Sequence, residues 1–175
     1  MKQITIIFIF SLLITTCNGQ TKTIDHSKTI IEQAEDMGQL LLSKDFSSFS
    51  KYTYPMIIVM MGGKQVFVET LERGYEEMEA GGTTISKVIF GKPSQIITEE
   101  NELQCTLSQE LEMKVPNGRL VSKSTLIAIS TDNGENWYFI DTSGKDIRTM
   151  KNVLPNLSVN LVIPRQQQPA FYEND

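Results

Sequence analysis

A carboxylate and two tyrosines are the side chains of this sequence whose types best suit acid–base chemistry. Asp141 ends a strand-like segment, and Tyr52 or Tyr54 would complete a pair of acid and hydrogen-bond donor. Gln109 stands in the apolar phase of an alternating segment, where its amide needs a partner or a wet cavity. Trp137 adds a large apolar wall. These five residues are the candidate pocket.

A structural role competes with the chemical one for each of these residues, and the sequence favours it. Asp141 is well placed to accept hydrogen bonds from turn backbone before Gly144. Gln109 fits a core glutamine that is bonded to backbone, and Trp137 shares a strand face with Phe139, as core residues do. We therefore predict no catalytic residue.

Metal and cofactor chemistry find little support in the sequence. The single histidine, His26, lies near the start of the mature chain, and we expect it to be solvated. Thioethers of Met56, Met60 and Met61 suit Cu(I), but no cysteine or histidine accompanies them, which favours core packing. Zinc spacing, a phosphate loop and a nucleophile elbow are absent from the sequence. We predict no metal and no cofactor.

The first residues predict export. Lys2 precedes an apolar run, residues 4–14, that is too short to span a bilayer. Segment 14–17 resembles a relaxed bacterial lipobox, and segment 17–20 is similar to the start of many Bacteroidetes lipoproteins. That resemblance implies a lipoprotein signal at 1–16 and lipidation of Cys17. Ordinary cleavage after Gly19, with a signal peptide at 1–19, is the alternative.

Composition predicts one acidic domain outside the cytoplasm. Without the leader, about 155 residues remain, which suits a single core. The full chain has 16 basic and 21 acidic residues, and loss of Lys2 leaves 15 basic residues, a net charge of −6. This charge argues against nucleic acid as a partner, and contact with a membrane is expected only through a lipid on Cys17. Cys105 is then the one remaining thiol, and we expect it to be buried.

The first half of the mature chain shows helical periodicity. A first helix is predicted at residues 27–43, and Asp45 can cap a short second helix that Pro55 ends. The wholly apolar segment 56–61 predicts a buried strand, and a third helix should end at Gly81-Gly82.

The second half alternates with a period of two and predicts an antiparallel meander of long, curved strands. The four segments are 83–98, 102–115, 119–131 and 136–142. Asn117-Gly118 and Asn133-Gly134 each predict a turn with positive φ. Pro93 predicts a bend in the first segment. One face of the second segment is apolar, and its members are Leu103, Cys105, Leu107, Leu111, Met113 and Val115.

The order of these elements, with a last strand that reads Trp137-Tyr138-Phe139-Ile140-Asp141, resembles the NTF2-like (SnoaL-like) family. The resemblance implies an α+β fold in which N-terminal helices pack on a strongly curved antiparallel sheet, the NTF2-like cone, over residues 24–143. It also implies a pocket on the concave face, frequent dimerisation, and activities from isomerisation and dehydration to none. Dehydratases of this fold use a histidine, an aspartate and a tyrosine, whereas His26 lies outside the resemblance.

Two further segments follow the domain. Residues 144–164 predict a helix up to Val153 and an extra strand over 157–163, and residues 165–175 predict a mobile tail. Phe171 and Tyr172 are unusual in a free tail, and docking on the domain or on a partner stays open.

The function expected from the sequence is an exported, non-catalytic module of the cell envelope that binds a small apolar ligand or a protein, with homodimerisation possible. The alternatives are an enzyme of the same fold that acts on a small hydrophobic substrate, and a purely structural dimeric module. The protein would be anchored to a membrane in the periplasm as a lipoprotein, or would be periplasmic or secreted if the leader is simply cleaved. An open interior where Tyr54, Gln109 and Asp141 converge would favour ligand or chemistry, whereas a packed interior would favour assembly.

Overall fold

The computed structural model describes residues 25–173, and it is an α+β fold in which helices precede a curled antiparallel sheet. The predictions for the leader, for Cys17 and for the last two residues concern positions outside this range. The helices are α1 (Ser27–Leu42), α2 (Phe46–Phe49), α3 (Pro55–Met60), α4 (Lys64–Ala80) and α5 (Ile147–Val153). The strands are β1 (Thr84–Phe90), β2 (Ile97–Glu99), β3 (Glu102–Val115), β4 (Gly118–Ser130), β5 (Tyr138–Asp141) and β6 (Ala170–Glu173).

Three helices form where the sequence predicts them. Helix α1 buries Ile30, Ala34 and Met37, which share one face at helical spacing. The Asp45 carboxylate accepts the Ser48 N–H at 2.9 Å and so caps α2. Helix α4 ends before Gly82, whose φ of +78° is readily adopted by glycine.

The prediction of a buried strand at 56–61 is wrong, because these residues form α3 and its following turn. Pro55 occupies the first turn of this helix, where its missing N–H has no intrahelical partner to lose, so it starts α3 and does not end α2. Gly62 and Gly63, both with positive φ, follow the helix end. None of the α3 residues is buried, and Met56, Val59 and Met60 are each more than half exposed.

The sheet is built around the β3–β4 hairpin, which pairs continuously from Leu103 opposite Ser130 to Val115 opposite Gly118. Strands β1 and β2 both pair with β3, while β5 and β6 both pair with β4. The predicted first segment is therefore two strands, and the bend expected at Pro93 lies in the irregular stretch between them. A register shift between Ile85 and Lys87 adds an irregularity in β1.

The two Asn-Gly turns differ. Asn133 and Gly134 have φ of 58° and 88°, as predicted. Asn117 and Gly118 do not have positive φ, so that prediction is wrong. Gly118 already pairs with Val115, and the two-residue loop is Pro116-Asn117, whose proline fixes a negative φ.

Two apolar clusters lie on opposite faces of the sheet, and helix α1 covers the first face. The inner cluster comprises Ile30, Ala34, Met37, Cys105, Leu107, Leu126, Ala128, Trp137 and Phe139. Gly38 lets α1 approach β1 closely, because a Cβ there would lie 2.9 Å from Phe90 Cε2. The outer cluster comprises Ile127, Ile129, Ile140, Met150, Leu154, Leu157 and Leu161. The C-terminal extension thus covers the second face.

The extension differs from its prediction after α5. Residues 157–163 do not form the expected strand but cross the outer face as turns and irregular chain, with Leu157 and Leu161 buried. Backbone groups of this segment form hydrogen bonds within tight turns, such as the one that Leu161 N–H donates to Ser158 O at 3.3 Å. The segment therefore does not adopt an extended conformation. The expected mobile tail contains β6, which pairs with β4 from Gly118 to Val121. Phe171 and Tyr172 therefore dock on the domain itself.

Candidate functional site

The sheet separates the two tyrosines of the predicted pocket. Thr53 pairs with Phe139 at the open edge of β5, and the chain passes from one face to the other at this point. Tyr52 consequently packs against the inner cluster, whereas Tyr54 packs against the outer cluster. Asp141 pairs with Leu126 of the inner face, so Tyr54 and Asp141 lie on opposite faces.

Trp137 belongs to the core. It is 1% exposed, and its indole N–H donates to Gly134 O at 3.1 Å. Its backbone N–H donates to Gln33 Oε1 at 2.8 Å, which ties β5 to helix α1. The predicted solvated residue, His26, instead lies against this tryptophan, with ring centroids 6.1 Å apart. The space that a pocket would need beside Trp137 is filled.

Tyr54 belongs to a polar network that fastens the C-terminal extension to β3. Its hydroxyl donates to Glu102 Oε1 at 3.0 Å, and Asn156 Nδ2 donates to Glu102 Oε2 at 2.7 Å. Gln104, which is fully buried, donates to Asn156 O at 3.0 Å and accepts the Ser158 N–H at 2.8 Å. Burial, followed by the hydrogen bond to Glu102, raises the pKa of Tyr54.

Tyr52 has a different partner from the one an acid–tyrosine pair requires. Its hydroxyl is 3.5 Å from Asp36 Oδ2 on helix α1, a long hydrogen bond at the molecular surface. Burial, and secondly the charge of Asp36, raises the pKa of this phenol. Tyr52 is therefore oriented towards α1 and serves as a neutral donor.

Asp141, Ser124 and Gln109 form a short polar row on the inner face. Ser124 Oγ lies 3.0 Å from Asp141 Oδ2 and 3.3 Å from Gln109 Oε1, and its one proton is donated to one of them at a time. The shorter contact, to the ionised acceptor, is favoured. The other oxygen of Asp141 accepts the Ser143 N–H at 2.6 Å, which is the turn contact that the structural interpretation expects. Gln109 therefore shares the Ser124 hydroxyl with Asp141, and the group within its hydrogen-bond distance is a side chain, not backbone.

A half-open cavity of about 200 Å³ lies on the outer face of the sheet, beside β3, β4 and the end of β5. Most of its lining residues have polar side chains, so we call it the polar cavity. The sequence pattern did not identify it. It is lined by Ser108, Lys123, Ser124, Thr125, Thr142, Gly144 and the segment from Pro164 to Gln167. The alternation of β3 and β4 places Ser108 beside Thr125, which is a signal of a polar patch. Residues 164–167 close the patch into a cavity, and nothing in the sequence indicates where they lie.

Thr142 is the most buried residue of this polar cavity. Only 1% of it is exposed, and its backbone N–H donates to Thr125 O at 3.0 Å. Its hydroxyl has no hydrogen-bond partner within residues 25–173. A buried hydroxyl without a partner costs about 1–3 kcal/mol relative to a satisfied one. One of the residues that line the cavity therefore carries a buried hydroxyl that residues 25–173 do not satisfy.

Two larger cavities, of about 360 and 480 Å³, lie elsewhere. The first is lined by Ser94, Gln95, Ile97, Asn160 and Val162, and the second by Ser47, Lys64, Gln65, Val68 and Glu69. Of the five residues of the predicted pocket, none lines any of these three cavities.

Over residues 25–173, no group of three or more histidine, cysteine or acidic side chains is placed to hold a metal ion. In that same part of the chain, no helix combines the length and apolar character needed to cross a membrane. No protein-family model matches this chain, and no curated protein matches it either.

Proposed function

We propose that this protein is an exported, non-catalytic binding module of the cell envelope that holds a small ligand in the polar cavity beside Thr142. The observation that carries this proposal is a cavity of about 200 Å³, one of whose lining residues, Thr142, has a buried hydroxyl without a hydrogen-bond partner in residues 25–173. Small-molecule sites combine a concavity with a few convergent polar groups, and this cavity has both. The ligand site is thus on the outer face, and not in the concave interior that the sequence suggested.

The interior supports binding over catalysis. An acid–tyrosine pair needs its two groups within hydrogen-bond reach, but Tyr54 and Asp141 are divided by the sheet. Tyr52 contacts Asp36, and both Asp141 oxygens already accept hydrogen bonds from Ser124 and Ser143. Each candidate group is held by a structural partner.

We also propose the finer fold, the NTF2-like cone. A long helix packed on the inner face of a curled sheet, and a long central hairpin, support it. The helix α3 in place of a predicted strand departs from the pattern that suggested this family. The export proposal is supported by Lys2 and the apolar run 4–14, and lipidation by Cys17.

Native mass spectrometry of the protein purified from its own host tests the binding function. We expect a population that carries one additional small molecule, and a Thr142→Val variant should lose that molecule. Thr98→Val, which changes an exposed threonine of β2, is the matched control and should keep it. A spectrum of wild-type protein without any ligand, with only monomers or dimers of the bare chain, would contradict ligand binding and favour the structural module.

Anchoring needs a separate experiment. If Cys17 carries a diacylglycerol, Cys17→Ser expressed in a related bacterium should move from the membrane fraction to the aqueous fraction. Detergent partitioning and the mass of the mature N-terminus measure this. A wild-type chain that begins at Gln20 and stays in the aqueous phase would exclude the lipoprotein and leave export intact.

A further inference from the structure

The charge of the polar cavity is opposite to that of the whole protein. Lys123 and Arg165 are among its lining residues, and no acidic residue is, whereas the full chain has a net charge of −5. Arg165 makes no ion pair with any residue between 25 and 173. A cavity with cationic walls in an acidic protein concentrates anions locally.

The nearest acidic groups are already engaged. Glu110 Oε2 lies 3.2 Å from Lys123 Nζ, in an exposed pair that is worth little in water. Asp141 extends from the other face of β5, where Ser124 and Ser143 hold its two oxygens. Lys123 can therefore exchange a weak surface contact for a ligand, and Arg165 has no contact of this kind to give up.

The remaining lining groups suit an oxygen-rich molecule. Ser108 and Thr125 contribute hydroxyls, and Gln166 and Gln167 contribute amides that both donate and accept. Gly144, with φ of +73°, has no Cβ, and the Gln166 side chain occupies the position that a Cβ would need. Residues 164–167 therefore lie directly against the turn that follows β5. A volume of about 200 Å³ suits a small molecule rather than a peptide.

We propose that the ligand is a small hydrophilic oxyanion, a carboxylate or a phosphate, which Arg165 and Lys123 bind and whose oxygens accept from the hydroxyls around Thr142. This inference rests on the proposed function and names its ligand class. Charge-assisted hydrogen bonds to guanidinium and ammonium groups supply the selectivity against neutral molecules.

Titration of the purified mature chain with citrate, with inorganic phosphate and with neutral sorbitol, at constant ionic strength, tests the ligand class. We expect amide resonances of Thr142, Ser124 and Arg165 to shift with at least one anion and not with sorbitol. Citrate alone would identify a carboxylate, and phosphate alone would identify a phosphate. Shifts with sorbitol only, or with none of the three probes, would overturn the proposal that the ligand is an oxyanion.

Arg165→Gln should weaken anion binding about tenfold or more, because one charge-assisted contact is lost. Arg148→Gln on α5 removes the same charge outside the cavity and should leave binding within about twofold. Equal losses in both variants would show a general charge effect and overturn the site. If native mass spectrometry finds a neutral ligand while all anions fail, the oxyanion is wrong and the binding module stands.

Discussion

On the helix side of the β3–β4 hairpin, Cys105, Leu107 and Ala128 are buried against apolar residues of α1 and β5, whereas on the other side Gln104 and Thr106 are buried among polar groups of the C-terminal extension. The inner face depends on apolar burial, which also raises the pKa of the Cys105 thiol to about 12. The outer face combines burial of the apolar outer cluster with directional hydrogen bonds from Gln104 and Thr106 to the extension, and the polar cavity lies on this same face. One pair of strands thus separates a packed core from the surface available for binding.

The largest expected effect is on the inner face. Leu107→Ala should lower the free energy of unfolding by about 2–5 kcal/mol, because Leu107 is 2% exposed and its removal leaves a cavity in the core. Denaturant unfolding measures this. Val59→Ala on α3, which is 70% exposed, should change stability by less than about 0.5 kcal/mol. A similarly small change for Leu107→Ala would contradict the packed inner face.

The outer face predicts a smaller but specific loss. Gln104→Ala should cost about 2–3 kcal/mol, since the buried Ser158 N–H and Asn156 carbonyl lose their partner. The exposed Gln95→Ala is the control and should be near neutral. Limited proteolysis should also cleave residues 154–164 faster in Gln104→Ala. Unchanged cleavage would show that apolar packing alone holds the extension.

Thr142→Val should have the opposite sign. Replacing an unsatisfied buried hydroxyl by a methyl of similar shape should stabilise the ligand-free protein by about 1 kcal/mol. Thermal unfolding of ligand-free protein measures this, with the exposed Thr98→Val as the near-neutral control. A destabilised Thr142→Val would show that the hydroxyl is satisfied in solution and would remove the main support for the ligand site.

The smallest effect concerns the β4–β5 turn, which both faces share. Hydrogen bonds from Asn136, and then from Ser130, lower the pKa of Asp132 below its ordinary value of 3.8. A lowered pKa in the folded state adds stability above that value, and this contribution is lost as the pH falls through the folded pKa. Between about pH 5 and about pH 3, the stability of Asp132→Asn should therefore fall less steeply than that of wild type. Urea unfolding at both pH values measures the slopes, and Glu135→Gln, which should keep the wild-type slope, is the control.

Local patterns predicted most of the elements. Helical spacing predicted α1 and α4, the Asp45 cap predicted α2, and alternation predicted β4 as a strand and β3 together with its inward face. Each depends on neighbours within a few residues. Segment 56–61 was misassigned because a short, wholly apolar run has no periodicity that distinguishes a strand from a helix. Pro55 favours the helix, because a proline is well tolerated at the first helical position.

The candidate site was predicted less well than the fold. Gln109 was expected to need a partner and has one in Ser124, and the turn contact expected for Asp141 is present. Tyr54 does not converge with these residues, because the chain crosses the sheet edge at Thr53, only one residue earlier. The cavity was missed because Arg165 approaches β4 and β5 only through the path of the extension.

The sequence by itself determined the acidic charge, the main helices and the inward face of β3, since these follow from composition and from spacing along one element. The export signal is also inferred from the sequence alone and stays a prediction. Tertiary structure alone decided that residues 154–164 cover the outer face, that β6 pairs with β4, and that Thr142 lines the same cavity as the basic side chains of Lys123 and Arg165. The reason is physical: such contacts join residues distant in sequence, and their geometry depends on how loops without periodicity cross the sheet.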